Sequence, residues 1–240
     1  MKVRNSVAFV TGANRGIGLE FVRELVAAGA RKVYAAARDP ESIKVDGVER
    51  VRLDVTSPEN VAAVANAYRD VNLLINNAGI ALWTDFLAPG GVDAARSEME
   101  TNYFGPLELS RAFAPILARN GGGAIINMLS VVSWVAVPSG GTYSASKAAA
   151  WSLTNGLRTY LKKQGTRVLG VHVGPVDTDL ASQLTLPKVK PSDVVGQALN
   201  ALEAGRDEVL VDDLTRQVKA GLSDESAIYL DFDPRMGAAA

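Results

Sequence analysis

Tyr143 and Lys147 stand four residues apart in Tyr143-Ser144-Ala145-Ser146-Lys147, and Ser130 lies thirteen residues upstream of the tyrosine. Residues at i and i+4 of a helix share one face. A lysine ammonium placed there favours the phenolate of the tyrosine beside it and lowers its pKa. A tyrosine tuned in this way exchanges a proton near neutral pH. Near the start, the chain carries a glycine-rich turn, Gly12-Ala13-Asn14-Arg15-Gly16-Ile17-Gly18. Glycines there permit a tight turn and close backbone approach, and a helix opening behind them offers free N–H groups to a phosphate. Together the two sets suit proton exchange beside a bound dinucleotide.

Such residues need a scaffold that brings them together. Short apolar runs alternate with longer amphipathic segments, the pattern of βαβ units around a parallel sheet. Strands are predicted at 7–10, 32–36, 48–53, 73–75, 124–128, 168–173 and 208–211. The first helix, 17–28, places Ile17, Phe21, Val22 and Leu25 on one face and ends at Gly29. A second starts at Ser57-Pro58, a capping serine before a proline at the first helical position. The segment 94–118 is predicted as one helix bent at Pro106 or Pro115. Further helices are expected at 142–162, 192–203 and 214–222.

The helix 142–162 is small or apolar nearly all round, through Ala145, Ala148, Ala149, Ala150, Trp151, Leu153, Gly156 and Leu157. That predicts cover on both sides, by the sheet and by a second subunit. The fold class expected is α/β: a single-domain, Rossmann-like, doubly wound parallel sheet of about seven strands with helices on both faces. It spans residues 1–236, and a loose tail occupies 237–240, or begins as early as Asp231.

The chain of 240 residues is 48% hydrophobic, with 25 basic and 26 acidic side chains and a formal charge of −1. That balance excludes the basic face on which non-specific nucleic-acid binding depends. There are no cysteines, so disulfides, thiol nucleophiles and thiolate metal sites are excluded. The single histidine, His172, falls inside the sixth apolar run and reads as a packed strand residue, with no metal site around it. The start lacks a signal-peptide pattern, and no apolar stretch of about 18 residues is present to span a bilayer. A soluble cytoplasmic protein without membrane or nucleic-acid partners is expected.

At Thr11-Gly12-xxx-Gly16-Ile17-Gly18, Asn76-Asn77-Ala78-Gly79, Asn102, Ser130 and Tyr143-xxx-Lys147, the chain resembles the short-chain dehydrogenase/reductase family, in particular its NADPH-dependent carbonyl reductases. The resemblance covers residues 7–178 and departs from the family at Val173-Gly174-Pro175, where members usually read Pro-Gly. It implies that Ser130 hydrogen-bonds the substrate oxygen and that Lys147 also holds the nicotinamide ribose. It implies a water on Asn102 linking Lys147 to solvent. Cofactor contacts are implied for Asn14 and Ile17 in the glycine turn, Asp54 and Val55, Asn77, Ala78 and Gly79, and Gly174, Val176 and Thr178. It also implies a homodimer built on helix 142–162, often paired into a homotetramer.

Cofactor choice is read at the second strand, which ends Ala37-Arg38 with no carboxylate until Asp39. An acidic residue there would bond a ribose 2′-OH. Arg38, with Arg15 in the glycine turn, instead suits a 2′-phosphate and favours NADP(H) over NAD(H). Alternatively both arginines are solvated surface charges, and Asp39 turns to the ribose. Asp54 either meets the adenine or caps the turn after it. Trp83, Val132, Trp134, Tyr143 and Leu180 are the expected substrate contacts, although both tryptophans could be packing residues. The walls carry no arginine or lysine before Lys188, and the segment 179–190 is short for a lid. An open site for neutral ketones, aldehydes or the corresponding alcohols is therefore expected. The competing readings are an NAD-dependent alcohol dehydrogenase and an NADPH-binding regulator without turnover.

Overall fold

Val7–Thr11 forms the first strand, β1, and all five of its residues are buried, as befits a central strand covered on both faces. The computed structural model describes residues 1–232. The remaining strands are β2 (Lys32–Ala37), β3 (Glu49–Arg52), β4 (Leu73–Asn76), β5 (Ala124–Met128), β6 (Arg167–His172) and β7 (Glu208–Leu210). They make one seven-stranded sheet in the order β3-β2-β1-β4-β5-β6-β7. Every neighbouring pair is parallel. The chain winds outward from β1 in one direction and from β4 in the other. This switch point opens a crevice beyond the carboxyl ends of the two strands.

Among the described residues the α-helices are α1 (Gly16–Ala27), α2 (Pro58–Ala67), α3 (Gly91–Met99), α4 (Gly105–Arg119), α5 (Gly141–Leu161) and α6 (Pro191–Glu203) between strands, and α7 (Asp213–Ala220) after the last. Phe21, Val22 and Leu25 of α1 join residues of α6 in the apolar layer on one face of the sheet. The other face is covered by α2, α4 and α5, through side chains such as Val61, Phe113 and Leu161. Gly29, at φ 79°, closes α1 in the left-handed conformation the sequence predicts. Ser57 Oγ accepts the Asn60 N–H at 3.2 Å, and Pro58 opens α2. The predicted α/β fold and its single sheet are the observed ones.

One helix differs. The segment predicted as 94–118 divides into α3 and α4, joined by a π-helical stretch, Glu100–Phe104. The break falls at neither proline: Pro106 occupies the tolerated first turn of α4, and Pro115 is exposed within it. A π turn inserts a residue without a local sequence signal, and here it carries Asn102.

The end of the chain also differs in part. Ile228 and Phe232 pack against a cluster that includes Val131, Val132, Val135 and Tyr143. A loose tail therefore does not begin at Asp231; the expected tail at 237–240 lies outside the described residues. Among the described residues no helix is long and apolar enough to cross a membrane. No group of three His, Cys, Asp or Glu residues is placed to hold a metal ion among them.

Candidate active site

The glycine turn lies at the switch point. Gly12 and Gly16 take positive φ, 62° and 54°, and Gly18 allows α1 to approach the turn. A Cβ at Gly18 would run into the Gly12 carbonyl oxygen and the Asn77 side-chain amide. That amide ties the turn to β4, donating to the carbonyls of Thr11 at 2.9 Å and Gly12 at 3.2 Å. Thr11 Oγ1 accepts the N–H groups of Asn77 and Ala78, each at 3.0 Å, and donates to the Ile75 carbonyl at 3.2 Å. Helix α1 begins after Arg15 with no side-chain cap, so its first N–H groups remain available to an anion. The donors, the glycines and the close helix fit the pyrophosphate of a dinucleotide.

This turn forms one end of a cleft of about 1000 Å³. Asn14, Arg15, Ile17, Arg38, Asp54, Val55, Asn77, Ala78, Gly79, Gly174, Val176 and Thr178 all line it, as do Ser130, Tyr143 and Lys147. Gly18 lies buried beneath the turn. Arg38 is exposed at the end of β2. Asp39 is engaged elsewhere, since its Oδ1 accepts the Glu41 N–H at 3.1 Å and caps a short 3-10 turn. Asp54 Oδ1 likewise caps the following turn, accepting from Thr56 Oγ1 at 2.7 Å and Thr56 N at 2.9 Å. These bonds, with some help from the Arg38 charge, hold the Asp54 carboxyl below its usual range. Arg15, at the rim of the same cleft, pairs through Nη1 with Asp179 Oδ2 at 3.2 Å in solvent.

At the other end, Tyr143 opens α5 and is 8% exposed. Ser130 stands just beyond β5; its Oγ accepts the Val132 N–H at 3.3 Å, and its own N–H donates to Ser133 Oγ at 3.2 Å. Lys147 is buried one turn along α5, and its Nζ donates to the Met128 carbonyl at 2.9 Å, 5.8 Å from the Tyr143 ring centroid.

In the chain alone, burial and not the neighbouring lysine sets the direction at the tyrosine. Burial, and then the negative charge of Glu98, raise the Tyr143 phenol above its ordinary range; the Ser130 hydroxyl opposes them only in part. Burial also brings the Lys147 ammonium down to about 8. The chain by itself therefore holds Tyr143 protonated at neutral pH.

The Asn102 side chain clamps Ile80, accepting from Ile80 N at 2.9 Å and donating to Ile80 O at 2.9 Å. A further bond, Nδ2 to Ser146 Oγ at 2.9 Å, ties it to α5. A Cβ on Gly79 would come 3.1 Å from Asn102 Oδ1 and 3.8 Å from Lys147 Nζ. The amide is thus a brace that sets the strand end beside the lysine.

Comparison with known proteins places this geometry. The sequence profile described as short chain dehydrogenase matches residues 6–188. The chain belongs to the short-chain dehydrogenase family. An uncharacterized oxidoreductase of Staphylococcus saprophyticus is 31% identical over 220 residues, covering 85% of this chain and 93% of that one. A dehydrogenase/reductase family member 7B of Bos taurus is 31% identical over 198 residues, or 75% of this chain and 60% of its own length. Among solved structures, a short chain dehydrogenase from Burkholderia cenocepacia in complex with NADP superposes with a TM-score of 0.90. It is 43% identical, with 94% of this chain and 95% of that one covered. The protein is thus an oxidoreductase of a family that binds a nicotinamide cofactor.

In this short-chain dehydrogenase the end of the cleft beside Tyr143 is roofed by Trp83. Its φ is 51°, a left-handed backbone uncommon for a side chain of this size, and its ring centroid is 5.5 Å from that of Tyr143. A Cβ on Gly140 would come 2.9 Å from Trp83 Cε3, so glycine there leaves room for the indole. Trp83 Nε1 donates to the Leu180 carbonyl at 3.1 Å, joining the two walls where an open site was expected. Val132, Val137, Leu184, Leu186, Leu214 and Phe232 complete an apolar lining.

Trp134, expected as a wall, is not among the residues lining the cleft. It stacks behind the wall on His172, ring centroids 4.0 Å apart. Glu98 and Phe232 are the residues sequence reasoning missed. Glu98 is fully buried; Oε1 accepts the Leu82 N–H at 2.7 Å, and Oε2 has no partner among the described residues. Its spacing of four from Asn102 is a usable signal, since both side chains serve the 80–82 loop.

Proposed function

We propose that this dehydrogenase reduces neutral, hydrophobic ketones or aldehydes to alcohols with NADPH, Tyr143 serving as the acid. The observation that carries the reading is a buried, protonated phenol beside the Ser130 hydroxyl, in the same apolar-walled cleft as the dinucleotide cradle. Support for NADPH comes from Arg38 at the end of β2 and from the similarity to a protein solved with NADP.

The residues that would hold the dinucleotide are the glycine turn with Asn14 and Ile17, Asp54 and Val55, Asn77 to Gly79, Lys147, and Gly174, Val176 and Thr178. Arg38, joined by Arg15, would meet the 2′-phosphate. When bound, the dinucleotide supplies the hydride. Ser130 Oγ hydrogen-bonds the substrate oxygen and holds it against Tyr143. As negative charge develops on that oxygen, the Tyr143 O–H gives up its proton to it. Lys147 carries its charge close by in a site of low dielectric, where it stabilises the phenolate that remains. Glu98 and Asn102 keep the 80–82 loop, and so Trp83, against the tyrosine.

The arginine and lysine side chains lining the cleft are Arg15, Arg38 and Lys147, all assigned to the dinucleotide. A carboxylated or phosphorylated substrate would therefore lack a counter-charge, which is why neutral carbonyl compounds are proposed. The NAD-dependent alternative would use the Asp39 carboxylate on the ribose, and that carboxylate caps Glu41. A regulator without turnover is disfavoured by the complete Ser130, Tyr143 and Lys147 set. Ala145, Ala148 and Ala149 of α5 remain wholly or partly exposed, and we assign that face to a homodimer, or to one interface of a homotetramer, in the cytoplasm.

The test is consumption of NADPH by the purified protein across ketones, aldehydes and diketones. Tyr143→Phe should keep NADPH binding and lose turnover. A preference for anionic acyl carriers, or full activity in Tyr143→Phe, would remove the proposal.

A further inference from the structure

His172 is the only histidine of the chain, and the reaction described above gives it no role. It is 1% exposed within β6, and both ring nitrogens face hydrogen-bond acceptors. Nδ1 lies 3.4 Å from the Ser130 carbonyl oxygen, and Nε2 lies 3.3 Å from Glu208 Oε1. Glu208, on β7, is gripped by Lys219 of α7, whose Nζ donates to both carboxylate oxygens at 2.9 Å. Trp134 lies flat on the imidazole at an interplanar angle of 18°, and Lys219 Nζ sits 4.9 Å from the Trp134 ring centroid.

A neutral imidazole has one N–H and can satisfy one of its two acceptors; an imidazolium satisfies both. The Ser130 N–H and Oγ have partners in Ser133 and Val132, and its carbonyl accepts the Ser133 N–H at 3.0 Å, which leaves that oxygen's second lone pair to the imidazole. The same peptide carries the Val131 N–H, which donates to the Val173 carbonyl at 2.9 Å.

We propose that His172 is a positioning residue for Ser130: the neutral ring donates to Glu208 alone, the imidazolium grips Glu208 and the Ser130 carbonyl together, and this single protonation resets the peptide that carries the serine. The inference rests on the reading of Ser130 as the group that holds the substrate oxygen. Among the described residues, the titratable groups acting on the ring are Glu208, which favours the imidazolium, and Lys219, which opposes it. Burial is the strongest influence and places the imidazole below its ordinary value, so the change occurs on the acid side of neutrality.

Because there is one histidine, ring nitrogen NMR reports it without assignment ambiguity. The imidazole midpoint, the Val131 amide signal and kcat/KM for carbonyl reduction are each followed against pH. In the unaltered protein all three should show the same midpoint. Glu208→Gln should move that midpoint to lower pH and Lys219→Met to higher pH, with the amide and the kinetic inflection moving by the same amounts. His172→Asn puts a permanent donor near the place of Nδ1, so turnover should persist with the acid inflection lost. A role confined to stability would lower the melting temperature and leave the pH profile where it was.

A Val131 amide that ignores the imidazole titration overturns the proposal. So does a kinetic inflection unmoved in both variants, or a ring that stays neutral until the fold is lost. Absence of turnover at every pH, with the Val131 response intact, would count against the reductase reading and leave the coupling of His172 to Ser130 standing.

Discussion

Arg38→Ala and Arg15→Ala should not weaken NADPH equally, although the sequence offers both for the same phosphate. Among the described residues no carboxylate lies within ion-pair distance of the Arg38 guanidinium. It meets a 2′-phosphate without giving anything up. Arg15 must first leave Asp179, an ion pair of 3.2 Å whose side chains are 67% and 77% exposed. A pair so exposed is worth about 0.2–1 kcal/mol. A charge-assisted hydrogen bond contributes about 1.5–3 kcal/mol when sheltered, and about 1–2 kcal/mol after discounting for solvent.

Arg38→Ala should therefore weaken NADPH roughly 5- to 30-fold. The loss in Arg15→Ala should be smaller by the value of the broken pair, a factor of about 1.5–5. Asp179→Asn frees Arg15 and should tighten NADPH by that same factor of about 1.5–5. NADH, which lacks the 2′-phosphate, serves as the control and should change little in any of the three. Titration calorimetry with both dinucleotides at low and high salt reads all of this, and every difference should shrink with salt. If Arg38→Ala weakened NADPH and NADH alike, or neither, the assignment of Arg38 would be refuted.

Other outcomes follow from the buried groups. With Tyr143 held above its ordinary range, its own titration should cost carbonyl reduction activity on the alkaline side, separately from the acid inflection assigned to His172, and Glu98→Gln, which removes an opposing charge, should move that alkaline limb to lower pH; an unmoved limb would exclude Glu98 from the electrostatics. Lys147 has a folded-state pKa of about 8 against 10.5, so below about 8 the unfolded chain holds the proton more tightly and the lysine destabilises the fold. The penalty is relieved as pH rises from 8 toward 10.5. Lys147→Met should therefore abolish turnover while stabilising the protein at neutral pH by at most about 3 kcal/mol, less about 1 kcal/mol for the lost bond to Met128; a lower melting temperature would contradict this. Gly18→Ala should cost about 1–3 kcal/mol and remove dinucleotide binding, because its Cβ meets the Gly12 carbonyl oxygen; unchanged affinity would show that the cradle tolerates displacement.

The sheet was legible because parallel strands covered on both faces are short apolar runs, and every predicted run became a strand. The edges were less clear: 48–53 and 208–211 shortened to Glu49–Arg52 and Glu208–Leu210, where one neighbour is missing and polar residues intrude. Ser130, Tyr143 and the glycine turn were readable since each sits where a strand ends or a helix begins, positions that topology alone carries to the switch point.

The roles of Asn102, Glu98 and Trp134 depended on direction rather than place. The π turn at Glu100–Phe104 breaks helical phase, and no residue type announces it. Trp134 turned away from the cleft because His172 offers it a flat partner. Phe232 returned to the wall across a great sequence distance, beyond the reach of any local pattern.

The short turn Asp179–Ala181 hangs from two contacts, Asp179 to Arg15 on the side of the glycine turn and the Leu180 carbonyl to the Trp83 indole on the side of the tyrosine. A phosphate that draws Arg15 away removes the first of these contacts and leaves the indole bond and the buried Ala181 to hold the turn. The second molecule to arrive then meets a doorway with one latch already lifted. Compulsory sequence in association, dinucleotide leading and carbonyl compound following, is the kinetic habit this arrangement favours, with departure in the reverse order.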